Sequence, residues 1–380
     1  HFEKFIFPNE QFLKYFEKVE VSPPSKKEAL HILMRILPDF EKGKKVIVSF
    51  QALKEIIEQS DKFITHIPFP EKAVDLLDQI IADAEASGKK VITKTDVYNL
   101  ISQKVKVPVG NLSRREIDKL KNLDQILHRR IVNQSQAVDA LVKAMQRTRV
   151  GITEEKKPIG AFLFLGPTGV GKTETAKALA EAYFGSEKQM IRFDMSQPFN
   201  LNLFVKETRE HPYAVCLLDE FEKTSTETLH LFLTVFDEGY LKDKDGKEVS
   251  FKNMVIICTS NAGAEFIRQR VEQGIGSQEI VEHILRKNIF SPELINRFDS
   301  VIIYKPLEKE HIAKIAKMMI EKLILRLKKK DVLLETDSKV YDLIAQKGHS
   351  VQFGARPMKR LIADEIESLI AKKILDNKIR

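Results

Sequence analysis

Residues 166–173 read Gly-Pro-Thr-Gly-Val-Gly-Lys-Thr. A glycine, four residues and then Gly-Lys-Thr is the spacing of a phosphate-binding P-loop. Its glycines let successive backbone N–H groups turn inward around an oxyanion. Lys172 then reaches the outer phosphates, and the Thr173 hydroxyl can ligate Mg²⁺. Gly166, Pro167, Thr168, Gly169, Val170 and Gly171 form the cradle itself. The flanks make the match specific. Ala161–Leu165 is an apolar run of buried-strand type, and Glu174–Phe184 is a good helix former whose N-terminus points its dipole at the phosphates. Strand, loop and helix in that order demand an α/β fold.

The chain has 380 residues, 43% of them hydrophobic and 31% charged, enough for two or three domains with proper cores. No apolar run reaches membrane length, and no signal peptide opens the chain. It begins with His1 rather than Met, as a piece of a longer protein would. Cys216 and Cys258 sit in apolar strand-like runs, so we expect buried free thiols and a reducing compartment such as the cytoplasm. The net charge of +8 comes from lysines spread along helices that also carry acids. No aromatic residues interleave with a basic stripe, which argues for a solvated surface and against nucleic acid.

Taken in order, residues 1–104 read as a small helical domain. Helices are expected over Lys26–Leu37, Gln51–Gln59 and Glu71–Ala86, with a fourth opened by Thr93 and Asp96 and running through Leu100. Val46–Val48 is extended or a helix lead-in. Residues 105–130 hold a Pro/Gly linker and an entry helix begun by a Ser113–Glu116 capping pattern. Residues 131–305 alternate strand and helix in the manner of a doubly wound parallel sheet, with strands at 161–165, 190–194, 214–218, 254–259 and 300–304. Residues 306–380 return to helices, the last over Pro357–Ile374. A repeat joins the two helical parts. Phe16, Val19, Val21, Pro24, Glu28, Leu30, Leu33 and Leu37 share one register with Phe298, Val301, Ile303, Pro306, Glu310, Ile312, Ile315 and Met319. The N-terminal helical domain therefore reads as a second copy of the C-terminal one.

Four further places suit nucleotide chemistry. The apolar run Ala214–Leu218 ends in Asp219 and Glu220. An acid at a strand end beside a P-loop can hold Mg²⁺, as Asp219 would, and Glu220 is placed to deprotonate an attacking water. Asn261 ends another apolar run and could position that water or meet the γ-phosphate. Arg297 precedes a strand, where it could serve as a finger on a neighbouring chain's phosphate or form a surface ion pair. Arg356 opens the last helix, beside Pro357 in the first turn, and could reach back to a nucleotide.

Together these sites, in this order, resemble the AAA+ ATPases, and in detail the second module of the Clp-type unfoldases and disaggregases (ClpA, ClpB, ClpC). Besides 166–173, the resemblance rests on Asp-Met-Ser at 194–196, Leu-Leu-Asp-Glu-Phe-Glu-Lys at 217–223 and Thr-Ser-Asn-Ala-Gly at 259–263. It continues in Phe-Ser-Pro-Glu-Leu-Ile-Asn-Arg-Phe-Asp at 290–299 and Gly-Ala-Arg at 354–356. It implies an α/β AAA+ fold with a C-terminal helical lid, preceded by the lid of a first module. It implies Lys172 and Thr173 as Walker A, and Asp219 and Glu220 as Walker B. Asn261 becomes sensor 1, Arg297 an arginine finger and Arg356 sensor 2, with Ile131 and Val132 lining the adenine pocket. The expected ligands are ATP and Mg²⁺. The expected function is ATP hydrolysis driving the remodelling of unfolded or aggregated protein in a six-membered ring. Alternatives are a DNA-acting AAA+ motor or loader, or a nucleotide-gated scaffold that does not thread its substrate.

The sequence also departs from that family. No aromatic pore loop separates Asp194–Ser196 from the Asp219 strand. Ala86 to Thr93 leaves no room for a coiled-coil middle domain, which brings the chain nearer ClpA. Gly274–Ser277 is a poor substitute for a protease-docking loop. The nucleotide-binding part of a first module is missing, and the repeat puts Tyr15, with Lys14 before it, where the second copy has Arg297.

Overall fold

A computed structural model describes residues 19, 21–64, 67–105, 120–149, 157–244, 246, 248–270, 277–348 and 354–376. The expectations for Phe16, Tyr15, the Ser113–Glu116 cap, the 106–111 part of the linker and Gly274–Gly276 fall outside these residues. The chain divides into two compact units, His1–Lys104 and Val105–Arg380.

In the first unit the order is α1 (Lys26–Glu41), β1 (Ile47–Val48), α2 (Phe50–Phe63), α3 (Glu71–Ala86), β2 (Val91–Ile92) and α4 (Lys94–Val105). Ser25 and Glu28 form a reciprocal capping box that starts α1, and Ala29 and Leu33 turn its apolar stripe inward. The helix runs four residues past Leu37 and takes Pro38 inside it. The proline gives up the N–H bond to the Met34 carbonyl, while its own carbonyl still accepts from Lys42 N–H at 3.1 Å. Val46–Val48 resolves as extended: Ile47 and Val48 pair in parallel with Val91 and Ile92. Ala86 passes to β2 through a short turn at Ser87–Lys89, in which Ser87 and Lys89 N–H groups bond back to Asp83 and Ala84.

The second unit opens with α5 (Leu123–His128), α6 (Ser135–Arg149), β3 (Gly160–Leu165), α7 (Lys172–Phe184), β4 (Met190–Asp194) and α8 (Leu201–Glu210). It continues with β5 (Val215–Asp219), a 3₁₀ turn (Phe221–Lys223), α9 (Thr226–Glu238), β6 (Tyr240–Lys242), β7 (Glu248–Ser250) and β8 (Val255–Ser260). Then come α10 (Ala264–Arg270), α11 (Ser277–Arg286), α12 (Pro292–Ile295) and β9 (Ser300–Ile303). All five strands expected from sequence form, each within a residue or so, and they make one parallel sheet in the order β4-β5-β8-β3-β9. Every residue of β3, β5 and β8 is buried, so both faces of the sheet are covered at its centre, as an all-parallel sheet requires. The antiparallel β6–β7 hairpin is an addition that the sequence reading did not anticipate.

Because the strands are parallel and in register, their carboxyl ends lie side by side. Leu165 pairs with Ser260 and with Ile303, Leu218 with Cys258, and Asp194 with Asp219. The segments leaving those ends therefore converge, which is where open α/β sheets bind ligands. A phenylalanine cluster packs beneath them. Phe221 is fully buried and its ring lies 5.6 Å from Phe232, 6.1 Å from Phe290 and 6.4 Å from Phe298.

The last part is helical: α13 (Lys309–Lys328), α14 (Ser338–Gly348), α15 (Arg356–Leu361), a π-helical turn (Ile362–Glu367) and α16 (Ser368–Leu375). Its own core is Ile312, Ala316, Ile320, Leu323, Ile344, Met358 and Ile362. Leu33 of α1 is fully buried in the first unit, and Ile315, its counterpart in the sequence register, packs partly buried against this core.

Candidate active site

The loop between β3 and α7 has the geometry its glycines promise. Gly166 passes so close to Tyr304 that a Cβ on it would lie 2.6 Å from the Tyr304 carbonyl oxygen. Lys172, the first residue of α7, is buried and donates to Gly166 O at 2.6 Å, Pro167 O at 2.9 Å and Asn261 Oδ1 at 3.0 Å. Burial pushes its pKa down to about 8, helped by Arg356 and against the pull of Glu222, Asp219 and, more weakly, Glu220. Thr173 follows in the first turn of α7, half-buried. Thr168 Oγ1 also lies 3.4 Å from Asn261 Oδ1. One structure thus brings together the P-loop, Lys172, Thr173, Asp219, Glu220, Asn261 and Arg356.

Asp219 ends β5 and is 8% exposed. Thr259 donates its hydroxyl to one carboxylate oxygen, and Arg192 on β4 lies 2.5 Å from the other. Next, Glu220 takes a left-handed backbone, φ 58°, ψ 46°. That conformation is uncommon and costly for a residue with a Cβ. It is held by the Lys223 N–H bond to Glu220 O at 2.9 Å and by the buried Phe221 ring. The turn also brings round Glu222, whose Oε1 accepts from the Asn261 N–H at 3.1 Å while Oε2 is buried without a hydrogen-bond partner. Magnesium takes hard oxygen donors. The Asp219 carboxylate and Thr173 hydroxyl are donors of that kind, and the orphaned Glu222 oxygen leaves an acceptor for a hydrated cation. The residues fit the ion.

Ile131 and Val132 are buried, 5% and 8% exposed, just after Arg130. Arg130 pairs with Glu174, Glu181 and Glu187 of the α7 region, which anchors the Ile131–Val132 segment to the P-loop helix. Gln134 ties the same segment to two others. Its amide donates to Val170 O at 3.3 Å and Lys305 O at 3.1 Å, and accepts from Lys305 N–H at 3.2 Å. From the helical part, Gly354 and Ala355 rest directly on the loop, with Ala355 N–H bonded to Gly169 O at 3.3 Å. Arg356 follows, exposed, at the first turn of α15.

Arg297 stands apart. It lies just past α12, 40% exposed, with Nη1 2.6 Å from Asp237 on α9 and Nη2 4.0 Å from Glu293. Within one chain its partners are these acids. Sequence reasoning passed over Glu222, Arg192, Thr259, Gln134 and Arg130. Glu222 and Thr259 stood inside quoted motifs, and for Glu222 a second acid three positions beyond the strand-end Asp219 was the available signal.

Comparison with known proteins agrees along the chain. Residues 157–207 and 200–301 match the family model of the AAA domain (Cdc48 subfamily), in two segments that meet at 200–207. Residues 307–380 match the C-terminal D2-small domain of ClpB, and residues 25–130 match an AAA lid domain. The chaperone ClpB of Oceanobacillus iheyensis is 30% identical over 465 aligned positions, covering 98% of this chain and 57% of that protein. ClpB of Prochlorococcus marinus is 39% identical over 312, covering 76% and 36%. In solved structures, the S. cerevisiae Hsp104:casein complex superposes with a TM-score of 0.80 at 28% identity, covering 99% of this chain and 69% of that one. The chain spans between 36% and 62% of the curated relatives it matches. With a P-loop α/β sheet, a helical lid resting on the loop and relatives of one kind along its whole length, the chain belongs to the Clp-type AAA+ family.

Proposed function

We propose that this chain binds ATP with Mg²⁺, hydrolyses it, and spends the cycle on remodelling protein substrates within a ring of about six copies. The observation that carries the reading is the junction of Lys172, Asn261, Asp219 and Glu220 at the adjoining ends of β3, β5 and β8. The P-loop amides and Lys172 bind the phosphates, and Ile131 and Val132 bound the base. Thr173 and Asp219 would hold Mg²⁺, which when bound neutralises phosphate charge. Glu220 takes the proton of the attacking water, and Asn261 orients that water. Arg356 reaches the nucleotide from the lid. Arg297 leaves Asp237 to act on a neighbouring copy's phosphate, where a guanidinium can fork onto two oxygens. Relatives named as chaperones, and an Hsp104 structure that holds casein, support protein as the substrate. A reducing compartment suits the buried Cys216 and Cys258 thiols, and no helix among the described residues is long and apolar enough to cross a membrane. ATPase stimulated by unfolded casein supports this reading; stimulation by DNA and not by protein overturns it in favour of a DNA motor.

A second reading, a nucleotide-gated scaffold, is favoured by one segment. Met195–Asn200 is all that separates β4 from α8, and four residues then lead to β5. The 195–214 stretch is fully described and leaves no place for a pore loop, and the AAA family match breaks at the same point. A chain that hydrolyses ATP and assembles yet cannot unfold a tagged globular reporter is a scaffold.

A further inference from the structure

We propose that Glu222 is a positioning residue of the nucleotide site: one of its carboxylate oxygens holds the Asn261 backbone so that the Asn261 side chain stays on Lys172 and Thr168. The inference deepens the proposed ATPase reading and rests on it.

The geometry is a short chain of contacts. Strand β8 ends at Ser260, so Asn261 is the first residue with no ladder partner to fix its direction. The Glu222 Oε1 atom supplies that partner by accepting its N–H at 3.1 Å. A hydrogen bond to an ionised acceptor is shorter and stronger than a neutral one, which suits a residue that must not wander. From that fixed backbone the Asn261 Oδ1 atom reaches Lys172 Nζ at 3.0 Å and Thr168 Oγ1 at 3.4 Å. Thus a residue on the turn after β5 sets the placement of a residue after β8, which in turn meets both ends of the P-loop.

Glu222 arrives there because Glu220 adopts its left-handed conformation and Phe221 is driven into the phenylalanine cluster. The two glutamates flank a buried ring and divide the work. Glu220 is left half-buried and free for water, and Glu222 is committed to protein. Its other oxygen, buried and unpartnered, would be a defect in a purely structural carboxylate. At this site it is an acceptor held ready for a donor that comes with the nucleotide, such as a water of its hydration shell. Among the carboxylates around Lys172, it is also the one that most favours the charged amine.

The test is a double-mutant cycle on the full chain. Glu222→Ala and Asn261→Ala are made singly and together, with Glu222→Gln as the conservative variant. ADP affinity, kcat and KM are measured for each. A lost hydrogen bond to a charged group corresponds to a fall in kcat of about 10- to 100-fold. The expected result is such a fall for either single variant, with KM and ADP affinity within about threefold. The double variant should be no slower than Asn261→Ala alone, because both act through one contact. Glu222→Gln keeps an acceptor for the Asn261 N–H and should recover part of kcat. Multiplying losses in the double variant, or wild-type kcat in Glu222→Ala, overturns the proposal. A Glu222→Ala chain that does not fold leaves the Gln variant and its own pairing with Asn261→Ala to decide. Failure of the wild-type chain to bind ADP would instead overturn the ATPase reading beneath it.

Discussion

Gly354 is where the lid meets the P-loop most closely, and replacing it with alanine tests whether that contact matters. Its φ is +58°, and a Cβ there would lie 2.9 Å from both the Gly169 and Thr168 carbonyl oxygens. Two penalties follow. The left-handed backbone costs an L-residue about 1–2 kcal/mol. Overlap with two backbone oxygens adds about 1–3 kcal/mol if the lid stays in place. If the lid swings away instead, the Ala355–Gly169 bond breaks and Arg356 withdraws with it, so the cost moves into nucleotide affinity. Gly185→Ala is the control. It lies in the same unit, has φ +86°, and a Cβ on it meets nothing within 4 Å, so it carries the first penalty alone. Urea unfolding and titration with a fluorescent ADP, run on both variants, separate the terms. Gly185→Ala should lose about 1–2 kcal/mol of stability and bind ADP normally. Gly354→Ala should either lose clearly more stability or weaken ADP binding about tenfold or more, the latter equivalent to about 1.4 kcal/mol. Identical behaviour of the two variants in both assays would refute the claim that the lid is seated on the loop through Gly354.

Other outcomes can be stated briefly. Glu220→Gln should keep ADP binding and lose turnover by about 10²–10⁴-fold, the usual share of a general base; turnover near wild type would remove Glu220 from the chemistry. Arg297→Ala and Lys172→Ala chains should each be inactive, yet regain some ATPase when mixed and lose it again on dilution, since a finger acting in trans is worth about 10³–10⁵ in rate. No recovery in demonstrably mixed assemblies would make the Arg297–Asp237 pair a surface ion pair only. In the first unit, burial opposes the Asp61 carboxylate, but hydrogen bonds from Lys72 and Lys26 outweigh it and hold its pKa below the usual range. The stability this gives is present above the unfolded pKa of about 3.9 and is lost as pH falls through the lower folded value. Lys72→Met should therefore flatten the acid dependence of hydrogen exchange in α2 and α3, and an unchanged acid profile would show that the pair is not coupled to folding.

The parts of this fold that were legible in the sequence are those where one physical cause acts alone. Buried parallel strands must be apolar throughout, so Ala161–Leu165 and Met254–Thr259 announced themselves, and Asp219 and Glu220 marked the end of β5 beside the P-loop. The parts that were not legible depend on distant partners or on backbone choices with no compositional mark. Nothing in Leu-Leu-Asp-Glu-Phe-Glu-Lys says that Glu220 turns left-handed, and without that turn the placement of Glu222 cannot be deduced. Arg297 meets Asp237, sixty positions earlier in the chain, which no local pattern reveals. The end of α1 was misplaced by four residues, because the helix runs on through Pro38 to Glu41 although that proline gives up one N–H bond. The hairpin β6–β7 had a signal in the Asp-Gly at 245–246, but a reading tuned to helices and parallel strands passed over it.

The ties around Glu174 have a mechanical consequence. Gln134 and Asn133 hold Lys305 and Pro306, so the base of α13 is pinned to the nucleotide-binding part. Farther along the same helix, Lys322 meets Glu174 at 3.4 Å, and Glu174 follows Thr173 directly while also gripping Arg130. Lys322 lies thirteen residues beyond Lys309, a lever arm of about 20 Å at about 1.5 Å per residue. A swing of about 10° about the pinned base would carry Lys322 through about 3.5 Å and part it from Glu174. A single partly exposed ion pair therefore links the middle of α13 to the first turn of the helix that carries Lys172 and Thr173. Over that arm a shift of about 1 Å in the turn corresponds to a swing of about 3° in the helix.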